Sequence, residues 1–306
     1  MMIMINNKKT VAAIGKFDGF HLGHMKLIKT AIETATEIGG RSLIFFIGRF
    51  AGLNHNCKTA NEYALSLGFD EYFRQELTKD FMSLDAESFV RDILKNEHNC
   101  SHVVVGYNFR FAKDRSAGVE ELKSLCEKYD IKCIIIDEIK AEDKDGNLIT
   151  VSSSHIRSLV SLGDVKEAAK FLGRCYYVKG AVQRGRQLGG KMGFPTANLS
   201  FPASTVLPPF GVYATKTTVD KKEYFSVTNI GNNPTVSPCA QTVTVETNII
   251  GFEGDIYGEE ITVEFLDKVR DEIKFDSLEE LTKQVFKDKK YVMEKFNLKK
   301  DKQKEM

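Results

Sequence analysis

At 306 residues, with 42% apolar and 28% charged side chains, the chain has the composition of a soluble globular protein large enough for two cores. The net charge is +1; residues 1–175 carry 24 basic and 24 acidic side chains, and residues 176–306 carry 19 and 18, so neither half has the cationic excess of a nucleic-acid binder. The six cysteines (Cys57, Cys100, Cys126, Cys133, Cys175, Cys239) form no C-x-x-C pair, which argues against a zinc site or a disulfide framework. No apolar run is long enough to span a bilayer and the N-terminus shows no signal-cleavage pattern, so the expected location is cytoplasmic, with no membrane partner.

In chain order, the first half alternates apolar runs with amphipathic stretches. Thr10–Ile14 reads as a strand stopping at Gly15, and Gly23–Ile38 has helical spacing through Leu27, Ile28, Ala31, Ile32 and Ala35. A strand at Leu43–Ile47, a helix near Ala86–Lys95, a strand at His102–Gly106, a helix near Val119–Tyr129 and a strand at Lys132–Asp137 follow. Such alternation predicts parallel β-α-β units and a doubly wound sheet, whose ligands bind at the carboxyl ends of the strands. Ser154–Ser161 and Asp164–Leu172 read as two short helices, with Gly173 as a stop.

Beyond Gly173 the texture changes. Tyr176–Val182, Val212–Val219, Glu223–Ile230, Thr242–Ile250 and Ile261–Phe265 are short β-rich segments separated by Gly, Pro and Asn, with helical patterns returning at Leu278–Phe286 and Tyr291–Phe296. The expected architecture is an α/β doubly wound domain over residues 1–173, then a small antiparallel β-barrel with C-terminal helices over residues 174–306. The Lys-rich stretch Lys299–Met306 reads as a solvated tail.

The first chemical constellation is Gly15-Lys16-Phe17-Asp18-Gly19-Phe20-His21-Leu22-Gly23-His24, between the first strand and the first helix. Glycines let a backbone approach a ligand closely, and a helix N-terminus offers free N–H groups and partial positive charge to phosphate. His21 and His24 share one face at the start of the helix, a pairing suited to charge on phosphorus and on departing pyrophosphate. The plainer reading is two surface histidines in a glycine-rich turn, with Asp18 as the helix N-cap.

This string resembles the signature of the nucleotidylyltransferase superfamily, in the wording of prokaryotic bifunctional riboflavin kinase/FAD synthetases. Gly106-Tyr107-Asn108-Phe109-Arg110-Phe111 resembles that family's G-x-D/N-F-R-F-G loop, and Ser152-Ser153-Ser154-His155-Ile156-Arg157 its S-S-T-x-I-R motif. The resemblance implies that Gly15, Phe17, Asp18 and Gly19 shape the nucleotide site and that His21 and His24 contact phosphates. It further implies that Asn108 touches the nucleotide and that Ser153, Ser154 and Arg157 hold the triphosphate. The chain departs from the pattern in three places. Lys16 replaces the commoner Asn, Ala112 replaces the glycine closing the second loop, and Phe45–Ala51 stands where an F-x-P-H-P-like stretch is expected.

In the second half, Gly185 to Lys191 fits G-x-x-x-x-G-K, but Met192 stands where a Ser or Thr would reach magnesium, so a Walker A loop is rejected. Gly193-Phe194-Pro195-Thr196-Ala197-Asn198 is more informative: in an extended segment Thr196 and Asn198 point the same way, and their oxygens suit Mg²⁺ carrying ATP phosphates. The plainer reading is a proline turn leading into a strand. The segment resembles the riboflavin kinase motif G-F-P-T-A-N, and Gly211–Ala214, Asn229–Thr235, Val245–Asn248, Asp255–Gly258 and Arg270–Phe275 follow in the family's order. The resemblance implies that Gly193, Thr196 and Asn198 bind magnesium–ATP, that Glu246 is the base for the ribityl hydroxyl, and that Arg270 and Glu272 shape the flavin pocket.

The expected function is therefore phosphorylation of riboflavin to FMN by the second domain and adenylylation of FMN to FAD by the first. The substrates are ATP, riboflavin and FMN, with Mg²⁺ alongside ATP. The alternatives are a riboflavin kinase whose first domain is inactive or takes another acceptor, and a flavin-binding protein without turnover.

Overall fold

A computed structural model describes residues 8–48, 52–53, 57–185, 193–234 and 241–298. By packing, the chain divides into two compact units, Met1–Ser153 and Ser154–Met306.

The first unit is built on a five-stranded parallel sheet of order β3-β2-β1-β4-β5. The strands are β1 (Thr10–Gly15), β2 (Arg41–Ile47), β3 (Glu71–Gln75), β4 (Cys100–Gly106) and β5 (Lys132–Ile136). Side chains alternate across the sheet, and both faces are covered. Val11, Ala13, Ile44, Phe46 and Val104 pack against Leu27, Ile28, Ala31 and Ala35 of helix α1 (Leu22–Glu37). Ala12, Ile14, Leu43, Phe45, Val103 and Val105 face the other way, onto Phe89, Val90, Leu94, Leu122 and Cys126. The strand order reverses between β1 and β4, so the carboxyl ends of those strands frame the crevice where doubly wound sheets bind ligands.

Several elements of this unit carried too little pattern to be read beforehand. Edge strand β3 is flanked by polar residues, and helices α2 (Cys57–Ser66) and α3 (Lys79–Ser83) are short. The expected helix near Ala86–Lys95 is a short α4 (Ala86–Ser88) running into a π-helix, Phe89–Glu97. α5 (Val119–Lys128) leads to β5, and a small hairpin of β6 (Lys140–Glu142) and β7 (Leu148–Thr150) precedes α6 (Ser153–Ser161). α7 (Val165–Leu172) ends at Gly173, whose φ of 74° gives the left-handed C-cap expected of a glycine stop. Packing groups Ser154–Leu172 with the second unit, where α7 lies on β8 and β13.

The second unit is a closed barrel of order β10-β11-β12-β9-β8-β13. Its strands are β8 (Tyr176–Gln183), β9 (Ala197–Ser200), β10 (Gly211–Val219), β11 (Lys222–Pro234), β12 (Gln241–Ile249) and β13 (Glu260–Asp271). A column of hydroxyls runs through the interior, where Thr215, Thr217, Ser226, Thr228 and Thr247 are all fully buried. Thr217 meets Ser226 at 2.7 Å, Ser226 meets Thr215 at 2.8 Å, Thr215 meets Thr228 at 2.7 Å, and Thr228 closes onto Thr247. Satisfied in this way, the column joins β10, β11 and β12 without leaving a buried polar atom orphaned.

The expected pair of C-terminal helices is one continuous helix, α8 (Leu278–Lys295), capped at its start by Ser277. The polar run between the two apolar patterns, Lys287–Lys290, contains no glycine or proline and is helix-compatible, so nothing breaks the turn there. Arg49–Ala51 of the unusual stretch after β2, Arg186–Met192 of the rejected Walker string, Thr235 and the Lys299–Met306 tail lie outside the described residues.

Candidate active sites

The loop leaving β1 is held in a demanding conformation. Phe17 and Phe20 have φ of 42° and 43°, positions that L-residues seldom adopt, and both side chains are buried. Gly19, at φ 88°, supplies the turn between them. The rings of Phe17 and Phe20 stack at 6.0 Å, and Phe17 also contacts the His24 ring at 5.3 Å. Apolar burial thus holds a strained polar loop at the mouth of the sheet.

Asp18 is not the N-cap of α1. Its Oδ1 accepts the Leu53 N–H at 3.1 Å, tying the loop to residues beyond β2. The cap is His21, whose Nδ1 accepts the His24 N–H at 3.3 Å. The two imidazoles stack with centroids 3.6 Å apart, so they form one aromatic surface at the helix start. No acidic residue lies in the first turn of α1, which leaves its partial positive charge uncompensated within the helix. Ser153 joins the same loop by donating its hydroxyl to the Asp18 carbonyl at 2.7 Å.

Asn108 is exposed just past β4, across the reversal from His21. The loop it occupies is anchored by Tyr107, whose N–H donates to the Ile136 carbonyl at 2.9 Å and whose hydroxyl donates to Glu138 at 3.3 Å. Burial and the Glu138 carboxylate push the Tyr107 hydroxyl above its ordinary pKa, while hydrogen bonds from Thr150 and Lys140 hold Glu138 below its own. Gly15, Phe17, Asp18, Gly19, His21, His24, Asn108 and Ser153 thus lie in the first unit; Ser154 and Arg157 fall in the second, where Arg157 donates to Ser154 Oγ at 3.2 Å.

In the barrel, cross-strand register decides which residues meet. Asn229 on β11 lies opposite Glu246 on β12, Glu246 opposite Asn198 on β9, and Asn198 opposite Gln183 on β8. Directly paired residues share a face, so these four form a transverse row on the outer wall; the adjacent row, Thr228, Thr247 and Ala197, points inward. Thr196 immediately precedes β9, and the turn before it is fixed by Asn248 Nδ2, which donates to the Pro195 carbonyl at 2.7 Å. A Cβ placed on Gly185 would come within 2.4 Å of Asn198 Nδ2, so only a glycine lets the backbone lie against that amide.

Glu272 reaches the same wall. A Cβ on Gly231 would lie 2.8 Å from Glu272 Oε1 and 3.1 Å from Asn229 Nδ2. Arg270 behaves differently: Nε and Nη2 grip Asp288 of α8 at 2.8–3.1 Å, with Asp288 only 4% exposed. Gln284 donates to the same carboxylate at 2.8 Å. Gly193 stands at φ 81° at the entry to the Phe194–Asn198 segment. The linear order of motifs assigns no role to Asn229, Gln183, Gly185 or Gly231; strand register and close backbone approach bring them to this row.

A glycine- and histidine-rich turn at the reversal of a parallel sheet, followed by a barrel carrying a row of amides around one carboxylate, defines a two-domain enzyme of nucleotide-dependent group transfer. The family model for FAD synthetase matches residues 3–48 and 53–154, and that for riboflavin kinase matches residues 172–296. The bifunctional riboflavin kinase/FMN adenylyltransferase of Bacillus subtilis is 33% identical over 97% of this chain and 95% of its own length. The enzyme of the same name from Escherichia coli is 28% identical over 94% and 93%. A solved structure described as a macrolide-efflux protein from Streptococcus pneumoniae superimposes with a TM-score of 0.80 at 29% identity, covering 94% of both chains. Among the described residues, no helix is long and apolar enough to cross a membrane. The chain belongs to the family of bifunctional riboflavin kinase/FMN adenylyltransferases, with the FAD synthetase part first and the riboflavin kinase part second.

Proposed function

We propose that the outer-wall row of the barrel is the riboflavin kinase centre and that the β1–α1 turn is the adenylylation centre. The observation that carries this reading is the direct pairing of Glu246 with Asn198, which sets a carboxylate beside a hard amide oxygen on one face. Glu246 takes the proton of the ribityl 5′-hydroxyl as that oxygen attacks the γ-phosphorus of ATP; the γ-phosphoryl passes to riboflavin and ADP leaves. Thr196 and Asn198 offer an all-oxygen donor set that fits Mg²⁺, and the ion would neutralise phosphate charge there. Asn229 orients the Glu246 carboxylate from the other side. Glu272 borders the flavin, and Arg270 shapes that pocket indirectly by fixing α8 against β13.

At the β1–α1 turn, a phosphate oxygen of FMN attacks the α-phosphorus of a second ATP and pyrophosphate leaves, giving FAD. His21, His24 and the N-terminus of α1 meet the charge that accumulates on the leaving group. Gly15, Phe17, Asp18 and Gly19 form the floor of this site, Asn108 contacts the nucleotide, and Ser153, Ser154 and Arg157 bind the triphosphate. We assign this chemistry to residues 1–173 and the kinase chemistry to residues 174–306. The balanced charge of both halves and the small-molecule substrates fit a cytoplasmic metabolic enzyme that acts without nucleic acid.

A chromatographic time course of the purified protein with riboflavin, ATP and Mg²⁺ tests the whole reading. FMN followed by FAD is expected. FMN alone would overturn the assignment of the first domain, and absence of both products would leave a flavin-binding protein without turnover.

A further inference from the structure

Adenylyl transfer brings two anions together: the triphosphate of ATP and the phosphate of its acceptor. The groups gathered at the end of β1 toward α1 answer one of them. His21, His24 and the acid-free first turn of α1 follow β1 where the strand order reverses between β1 and β4, and Ser153 is bonded into the same turn. The second anion must come close enough for one of its oxygens to reach the α-phosphorus, and repulsion between the two grows steeply at that range.

Lys16 is the only lysine or arginine in the turn from Gly15 to His24. It is exposed and makes no ion pair among the described residues. Its side chain runs away from β4 and across the carboxyl end of the neighbouring strand β2. A Cβ built on Gly48 would lie 3.1 Å from Lys16 Cγ and 3.5 Å from Cδ, so the aliphatic stem rests on the Gly48 backbone. Gly48 has φ of 153°, inside the range that favours glycine, and its missing side chain is what leaves room for the stem. A cation on a seated stem, with no ion-pair partner among the described residues, stands beside the groups assigned to the triphosphate but on the β2 side of them.

We infer that Lys16 binds the phosphate of FMN and holds it for attack on the α-phosphorus of ATP. This rests on the reading of the first domain as the adenylylation centre. The FMN phosphate is a dianion at neutral pH and needs no base. One P–O bond forms between it and the α-phosphorus, and the α–β bridging bond breaks with its electrons leaving on pyrophosphate. Lys16 offsets the charge of the incoming nucleophile and transfers no proton, which makes it a binding residue for the acceptor.

The test uses the full-length protein and two substitutions, Lys16→Met and Lys16→Arg. Pyrophosphate release is followed while FMN and ATP are varied separately, and riboflavin phosphorylation on the same preparation reports folding. Loss of one charge-assisted contact predicts a rise of about ten- to a hundredfold in KM for FMN in Lys16→Met. KM for ATP and the rate of riboflavin phosphorylation should stay unchanged, and Lys16→Arg should recover much of the loss. The wild-type KM for FMN should rise with ionic strength and that of Lys16→Met should rise less. Gly48→Ala, which presses a methyl group on the stem, should raise the same KM to a smaller extent. An unchanged KM for FMN, or an equal rise in KM for ATP, would overturn the inference. A wild-type protein that releases no pyrophosphate with FMN would instead overturn the reading of the domain, and this inference with it.

Discussion

Asn198 and Glu246 are direct cross-strand partners on the outer wall of the barrel, one on the short strand β9 and the other on β12. In an antiparallel pair such residues have Cβ atoms about 4.5–5.5 Å apart. A one-residue slip of β9 would turn Asn198 into the barrel and carry Leu199, a core residue, out to the solvent. The apolar interior therefore enforces the spacing of this pair.

Glu246→Gln keeps the shape of the side chain and removes the base. FMN formation should fall by at least about a hundredfold, the usual contribution of general base catalysis. Riboflavin binding, followed by quenching of flavin fluorescence, should persist, and so should conversion of supplied FMN to FAD. Normal turnover of riboflavin by this variant would remove Glu246 from its role.

Gly185→Ala places a methyl group where the Asn198 amide sits, 2.4 Å from its nitrogen. The expected result is a higher KM for ATP in riboflavin phosphorylation, with FAD formation from FMN unaffected. The double variant with Asn198→Ala should be no worse than Asn198→Ala alone, because the clash has lost its target. Additive losses would show that Gly185 acts elsewhere.

The grip of Arg270 on Asp288 gives a stability prediction. Asp288→Leu would leave a largely buried guanidinium without its carboxylate, a loss of about 3–5 kcal/mol. Arg270→Met combined with Asp288→Leu should recover most of that, since the paired charges are then replaced by apolar packing. Urea unfolding of the three variants decides it, and a double variant as unstable as the single one would refute the pairing as the cause.

His98 supplies a pH dependence. It is buried, with its ring edge-on to Phe45 and Phe73 at 5.0 and 4.6 Å. Desolvation lowers its pKa below the ordinary 6.5, and the acids Glu97 and Glu71 only partly oppose this. The folded state therefore prefers the neutral ring. Its stabilising contribution is complete above the ordinary pKa and is lost as pH falls from there through the lowered folded value. His98→Phe should flatten the fall in stability below about pH 6.5, leaving a smaller slope from His102, whose pKa burial also lowers. An unchanged slope would rule out His98 as its source.

The alternation of apolar and amphipathic segments was enough to read the parallel sheet, because buried strands such as Arg41–Ile47 show as continuous hydrophobic runs. Edge strand β3 escaped notice because Glu71–Gln75 has only two aromatic residues between polar ends. The chemistry-bearing motifs were legible as strings, Asn198 and Glu246 among them. The row they belong to was not, since Gln183 and Asn229 enter it through pairings across four strands. Arg270 shows the converse: its motif pointed to the flavin, whereas its partner Asp288 lies on a helix whose distance along the chain gave no hint of contact.

The buried Phe17 and Phe20, with their left-handed backbones, bear on the proposed capture of ATP at this turn. Because burying those rings fixes the loop as the chain folds, the conformational entropy of the turn is already spent before ATP arrives. Capture of the nucleotide should then follow a single concentration-proportional phase, without a slow isomerisation of the turn after encounter.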